Sequence, residues 1–116
     1  MQPIIYHNPK CATSRATLKL LRDRGYDPTI IEYLKTPPSA EELAKLLTQL
    51  GRTARDLMRR KEPEYRSLAL DDERLSATAL LRTIARHPRL MERPIVVAGR
   101  KAALGRPPEA VLKILE

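Results

Sequence analysis

The sequence predicts an α/β fold with a mixed four-stranded sheet, because it contains two pairs of short β-prone segments. The first pair, residues 4–6 and 29–33, flanks a helical pattern, and a β-α-β unit of this kind makes its two strands parallel. The second pair, residues 95–98 and 102–104, is joined by a tight turn, which makes its strands antiparallel. A sheet built from both pairs is therefore mixed.

The first β-α-β unit is marked by clear turn and helix signals. Asn8-Pro9 is a typical turn pair and closes the first strand. A helix is predicted from about Cys11, since apolar residues then recur at helical spacing until Gly25 ends the pattern. The second strand of the unit is the segment "TIIEY".

The middle of the chain is predicted to be a helical insert at about residues 39–88. Its first helix begins at the capping box Ser39-x-x-Glu42 and ends at Gly51. A chain of 116 residues suits one core, and no linker or repeat interrupts it. We therefore expect a single domain over residues 1–116 that contains this insert.

Capping patterns, polarity and prolines also predict the elements in the rest of the insert and at the C-terminus. A second capping pattern, "TARD" at residues 53–56, predicts a short helix whose end carries Arg59 and Arg60. Residues 61–74 are polar and predict irregular structure, and a further amphipathic helix stops at residues 87–88, "HP". After the second strand pair, two prolines open a last helix with an apolar face.

Composition excludes several classes of protein. The net charge is +8, but no run of five basic residues occurs and there is no Trp or Phe, so a nucleic-acid interface is not indicated. A small anion or an acidic partner fits the charge equally well. No stretch approaches the roughly 18 apolar residues of a membrane span, and the N-terminus does not read as a secretory signal. We expect a cytoplasmic protein without disulfides, since Cys11 is the only cysteine.

The segment "HNPKCATSR" places that cysteine where the first strand passes into the first helix. Unpaired N–H groups and the helix dipole at this position stabilise a thiolate and also bind tetrahedral anions. His7 and Lys10 would act in the same direction if protonated. The alternative is a buried free cysteine that behaves as a small apolar residue. The polar, basic surroundings favour the nucleophile.

Ser14 occupies the place of the second cysteine in a redox C-x-x-C motif. A serine cannot close a disulfide, and the chain has no other thiol. Any covalent adduct on Cys11 must therefore be released by a reductant from outside. The chain also has few candidate metal ligands: one cysteine and two histidines, His7 and His87, that are far apart in sequence. Their spacing does not match that of a metal site, so no metal is expected.

Five segments of the chain closely resemble, in the same order, segments of the arsenate reductases that draw electrons from glutathione and glutaredoxin. They are "YHNPKCATSR", "PTIIEYLKTPPS", "LMRRKEPEYRSL", "HPRLMERPIVV" and "LGRPPEAVLKIL". The resemblance covers nearly the whole chain. It implies a thioredoxin-like fold with a helical insert. It also implies arsenate as substrate, glutathione as co-substrate without any bound cofactor, and glutaredoxin as partner.

The resemblance also implies roles for individual residues. The nucleophile corresponds to Cys11, and the histidine that activates the thiol corresponds to His7. Pro94 occupies the place of the cis-proline that faces the cysteine in thioredoxin-like folds. Three arginines that bind the substrate oxyanion and its adducts correspond to Arg59, Arg93 and Arg106. Asn8 and Ser14, which lie near the cysteine in sequence, are also expected to belong to the substrate site. The alternative for Asn8 is that it only forms a turn with Pro9 and does not contact the substrate.

Two other functions stay open. A glutathione-dependent thiol reductase with the same fold could act on another electrophile. Ala12 stands where the family usually has glycine, which puts the substrate preference in doubt. Relatives of this fold also include regulators that bind RNA polymerase, and the positive charge would suit an acidic partner. Those regulators carry a C-x-x-C switch, which Ser14 prevents within this chain.

Overall fold

The computed structural model describes residues 2–115, which form two compact units. The first unit takes the chain up to Thr36 and again from Arg93 onward, and the second unit runs from Pro37 to Glu92. All four strands belong to the first unit, and the predicted helical insert falls within the second. No helix among residues 2–115 combines the length and the apolar character that crossing a membrane requires.

The first unit is built on a four-stranded sheet with the strand order β2-β1-β3-β4. Strand β1 pairs parallel with β2, with Ile5 opposite Ile30, and antiparallel with β3. Strands β3 and β4 form the C-terminal hairpin. The predicted mixed sheet is therefore confirmed. The strands cover Ile4–His7 (β1), Thr29–Glu32 (β2), Ile95–Ala98 (β3) and Lys101–Leu104 (β4).

Helix α1, Ala12–Asp23, carries the apolar stripe that the sequence predicts. Its two buried leucines form one core with side chains from β1, β3 and the last helical segment, a 3₁₀ helix over Pro108–Ile114. Burying each such aliphatic side chain contributes about 1.5–3 kcal/mol. The five buried members of this core are Ile5, Leu18, Leu21, Val96 and Val111. This packing holds α1 against the sheet.

The second unit contains helix α2, Ala40–Leu50, whose two ends match the predicted signals. The Glu42 N–H donates to Ser39 Oγ at 3.1 Å, and the Ser39 N–H donates to Glu42 Oε1 at 3.2 Å. The predicted capping box is thus complete. Gly51 ends the helix in the left-handed conformation, with φ of +67°, which a residue without Cβ adopts freely.

The second predicted cap produces a shorter element than expected. Thr53 and Asp56 bond reciprocally, but only a 3₁₀ helix over Arg55–Leu57 follows. Met58 is already extended and pairs with Met91 in an isolated bridge. The prediction that Arg59 and Arg60 end this helix is therefore wrong, because this pairing draws the chain out of the helix before it reaches them.

The segment predicted to be irregular contains helix α3, Pro63–Ser67. Pro63 occupies its first turn, where a missing N–H is harmless. The amphipathic helix that follows is α4, Ala77–Arg86, and it packs against α2. It begins at Ser76, whose hydroxyl accepts from the Ala79 N–H at 3.1 Å. A second 3₁₀ helix, Pro88–Leu90, follows it directly.

Candidate active site

Cys11 is the N-cap residue of α1 and has an extended backbone, with φ of −95° and ψ of 121°. Its N–H donates to the Asn8 carbonyl at 3.0 Å, and its carbonyl accepts from the Arg15 N–H at 3.0 Å. The side chain is half-buried and its thiol is free. The structure therefore places the cysteine at the strand-to-helix passage that the sequence predicts.

The loop before Cys11 is held by side-chain hydrogen bonds. Asn8 Oδ1 accepts from the Lys10 N–H at 3.0 Å, which closes a tight turn. Ser14 Oγ accepts from the Asn8 N–H at 3.0 Å and lies 2.6 Å from His7 Nδ1. Asn8, His7 and Ser14 are all buried. Their polar side chains therefore hold the loop against the first turn of α1.

His7 bonds to Ser14 through its ring. Burial is the main influence on the imidazole and lowers its pKa below the ordinary value, and the positive charges of Arg22 and Arg15 act in the same direction, against Glu32. The neutral ring is thus favoured. A protonated His7, which the sequence suggested as a source of positive charge, is disfavoured here because burial and neighbouring cations both oppose it.

The pKa of Cys11 is lowered from its ordinary value by a balance of opposing effects. Partial burial is the largest single influence and raises the pKa. The backbone N–H groups of Ser14 and Thr13 and the guanidinium of Arg93 lower the pKa, and together with the charge of Arg93 they outweigh burial. The thiolate is therefore favoured by the first turn of the helix and by an arginine.

Two of the three predicted arginines lie at the thiol. Arg106 Nη2 is 3.8 Å from Cys11 Sγ, and Arg106 Nε donates to the Arg93 carbonyl at 2.8 Å. Arg93 also donates to the sulfur through its side chain. The Arg93–Pro94 peptide bond is cis, which is the isomer expected from the resemblance, and the Arg106–Pro107 bond is cis as well.

The third predicted arginine, Arg59, belongs to the second unit. Its N–H donates to the Leu90 carbonyl at 2.7 Å. Its guanidinium pairs with Glu62 and Glu92, with both N–O distances 3.5 Å, and its side chain is 22% exposed. The structure thus brings Arg93 and Arg106 to Cys11 and gives Arg59 two carboxylate partners.

The helix N–H groups expected to favour the thiolate are those of Thr13 and Ser14 in the first turn of α1. One feature of the site is absent from the sequence predictions. Gly105 packs on Pro94 and Thr17, and only its place before Arg106 could have drawn attention to it. Among residues 2–115, no group of three or more His, Cys, Asp or Glu side chains could hold a metal ion.

Together these groups form a nucleophile inside a site for anions. A thiolate at Cys11 faces helix N–H groups and two guanidinium groups, all in the first unit. Guanidinium groups make forked hydrogen bonds to the oxygens of a tetrahedral anion. The arrangement is chemically suited to attack by sulfur on the central atom of a bound oxyanion.

Comparison with known proteins places this site in a family. The ArsC family model matches residues 6–114. "Uncharacterized protein YfgD" of Escherichia coli K12 is 53% identical over 112 residues, 96% of this chain and 94% of that protein. The "Arsenate reductase" of Neisseria meningitidis Z2491 is 49% identical over 112 residues, with 96% of both chains covered. A solved structure, "Arsenate reductase from Vibrio cholerae", is 53% identical with a TM-score of 0.96 over 98% of each chain. These matches confirm the thioredoxin-like fold, and the chain belongs to the ArsC family.

Proposed function

We propose that this protein reduces arsenate to arsenite, with Cys11 as the nucleophile and with glutathione and glutaredoxin as reductants. The observation that carries the proposal is the thiol of Cys11, which lies among helix N–H groups and the guanidinium groups of Arg93 and Arg106. Relatives named "Arsenate reductase" at 45–49% identity support arsenate as the oxyanion.

Charge explains why the site needs arginines. Arsenate is a largely dianionic tetrahedron at neutral pH, so an attacking thiolate brings like charges together. Fixed guanidinium groups offset this repulsion and stabilise the charge that develops on the oxygens. Arg106 is additionally held by its hydrogen bond to the Arg93 carbonyl, so its guanidinium acts from a defined position.

The reaction balances with two external thiols. Cys11 sulfur bonds to arsenic and a protonated oxygen leaves as water, and glutathione sulfur then displaces a second oxygen in the same way. A glutaredoxin thiolate next attacks the glutathione sulfur. The new S–S bond joins glutaredoxin to glutathione while the bond between glutathione sulfur and arsenic breaks. The electron pair of the broken bond stays on arsenic and reduces arsenic(V) to arsenic(III). Water finally replaces Cys11 on arsenic, which releases arsenite and regenerates the thiol.

Ser14 is the reason for external reductants. Its hydroxyl is buried and lies within bonding distance of His7 and Asn8, and it has no redox chemistry. The regulators that bind RNA polymerase use an internal disulfide switch. This chain cannot form such a switch, because it has no second thiol. We place the reaction in the cytoplasm, where free thiols stay reduced.

The remaining predicted site residues take supporting roles in the proposal. Asn8 and Ser14 already bond within the loop, so we assign them to holding it in shape around the oxyanion. His7 acts through its contact with Ser14. Arg59 keeps the role that the family resemblance gives it, binding of the oxyanion or its adducts.

A coupled assay tests the proposal. Oxidation of NADPH by glutathione reductase is followed with arsenate, glutathione and glutaredoxin present, and each component is then omitted in turn. We expect oxidation only in the complete mixture. Because glutathione reductase oxidises NADPH only when glutathione disulfide forms, the mixture without glutathione is also assayed for arsenite directly. Sustained formation of arsenite in that mixture would contradict the mechanism. Turnover with another electrophile but not with arsenate would instead support the thiol reductase alternative.

A further inference from the structure

Gly105 is buried at a point where the backbone has no room for a side chain. A Cβ at this residue would lie 2.6 Å from Thr17 Oγ1 and 2.7 Å from Pro94 Cγ. Both distances are far shorter than ordinary van der Waals contact. The Gly105 N–H also donates to the Pro94 carbonyl at 2.9 Å, so the two segments are bonded as well as packed.

Space, rather than backbone conformation, explains this glycine. Gly25, Gly51 and Gly99 have positive φ and nothing within 4 Å of where a Cβ would lie. Gly105 shows the opposite combination: its φ lies outside the left-handed region, and three atoms crowd the Cβ position. The other three glycines shape turns and helix ends, whereas this one permits a close approach of segments.

The segments that meet at Gly105 are those that carry the site. Pro94 directly follows Arg93, and Arg106 directly follows Gly105. Thr17 Oγ1 donates to the Thr13 carbonyl at 2.9 Å, and Thr13 belongs to the turn whose N–H groups face the thiol. The hydrogen bond from Arg106 Nε to the Arg93 carbonyl lies beside this contact.

We propose that Gly105 is a positioning residue: its missing side chain lets the backbone close onto Pro94 and Thr17 and so sets the guanidinium group of Arg106 beside Cys11. This inference rests on the proposed role of Arg106 as an oxyanion ligand. A methyl group at residue 105 must push the chain away from Pro94 or Thr17. Either movement displaces Arg106 from the sulfur without removing any reacting group.

The Gly105→Ala variant tests the proposal through Cys11 itself. The alkylation rate of the thiol is measured against pH, with and without inorganic phosphate as a tetrahedral competitor. We expect the inflection to move to higher pH and half-protection to need about ten- to a hundredfold more phosphate, the range for one lost charge-assisted hydrogen bond. These measurements do not depend on turnover. They therefore test the role of Gly105 even if the protein does not reduce arsenate.

Two further variants make the test specific. Gly25→Ala strains a positive φ at the far end of α1 and should leave the Cys11 profile unchanged. Thr17→Ala removes two of the three crowding atoms, so Gly105→Ala combined with Thr17→Ala should recover part of the loss. If Gly105→Ala alone does not fold, the double variant is compared with Thr17→Ala. A wild-type pH profile and phosphate protection in the folded Gly105→Ala variants would overturn the proposal.

Discussion

The protonation of Cys11 is set by burial, by backbone N–H groups and by a neighbouring arginine. Burial opposes the thiolate, whereas two backbone N–H groups and Arg93 favour it. Those N–H groups cannot be removed without altering the start of α1, but the arginines are side chains near the sulfur. At the residue scale, the reactivity of the thiol therefore depends on pH and on the neighbouring arginines.

The first prediction concerns the pH dependence of the thiol. Because the pKa of Cys11 is lowered, the thiolate is present above that pKa and is lost as the pH falls through it. Alkylation by iodoacetamide should show its inflection below the value of about 8.5 for a free cysteine. Arg93→Ala should move the inflection upward. An inflection at or above the free-thiol value in the wild type would restore the interpretation of an inert, buried cysteine.

The second prediction concerns Arg106. Arg106→Ala should lower arsenate turnover about ten- to a hundredfold while the fold is kept, because it removes a charge-assisted hydrogen bond to the oxyanion. Arg106→Lys should restore only part of the rate, since an ammonium group cannot make the forked contact. The matched control is Arg100→Ala in the exposed β3–β4 turn. Equal losses in both alanine variants would mean that general charge, not position, is responsible.

At the element scale, the end of β1 and the start of α1 are joined by the Ser14 hydroxyl. It accepts from the Asn8 N–H and contacts the His7 ring in a buried setting. Buried polar groups that lose their partner cost about 1–3 kcal/mol. This hydroxyl therefore contributes to stability and loop shape, whereas the thiol chemistry belongs to its neighbour three residues earlier.

The third prediction follows for Ser14→Ala. Urea unfolding should show a loss of about 1–3 kcal/mol, since the Asn8 N–H and His7 Nδ1 lose a buried partner. Substantial turnover should remain because no thiol is removed. Ser67→Ala, at the exposed end of α3, is the control and should change stability little. Complete loss of turnover in a folded Ser14→Ala protein would show that the hydroxyl takes part in the chemistry.

Elements with strong local signals were predictable from the sequence, and those defined by distant pairing were not. Helix α2 has a complete capping box and a left-handed glycine, so both of its ends are encoded locally. The short helix at residues 55–57 ends early because Met58 pairs with Met91, more than thirty residues away. Helix α3 has few apolar residues, and only Pro63 at its start indicated it.

At the scale of the whole molecule, the site draws on three distant parts of the first unit. Cys11 follows β1, Arg93 precedes β3, and Arg106 follows β4. Antiparallel pairing of β3 with both β1 and β4 explains why the two arginines reach the cysteine. The residue types were predictable from the family resemblance, but the packing of Gly105 against Pro94 and Thr17 needed coordinates, because no local pattern encodes a contact between distant segments.

Cys11 is the one thiol that this chain supplies to the proposed reaction, and the arsenite formed by wild-type and Cys11→Ser proteins tests that role. Both proteins are incubated with arsenate, glutathione and glutaredoxin, and arsenite is separated from arsenate by chromatography and quantified. We expect catalytic formation of arsenite by the wild type. Cys11→Ser should give no more than a mixture without the protein, because a serine hydroxyl is not ionised at neutral pH and forms no S–As bond. Arsenite formation by Cys11→Ser at the wild-type rate would contradict the account.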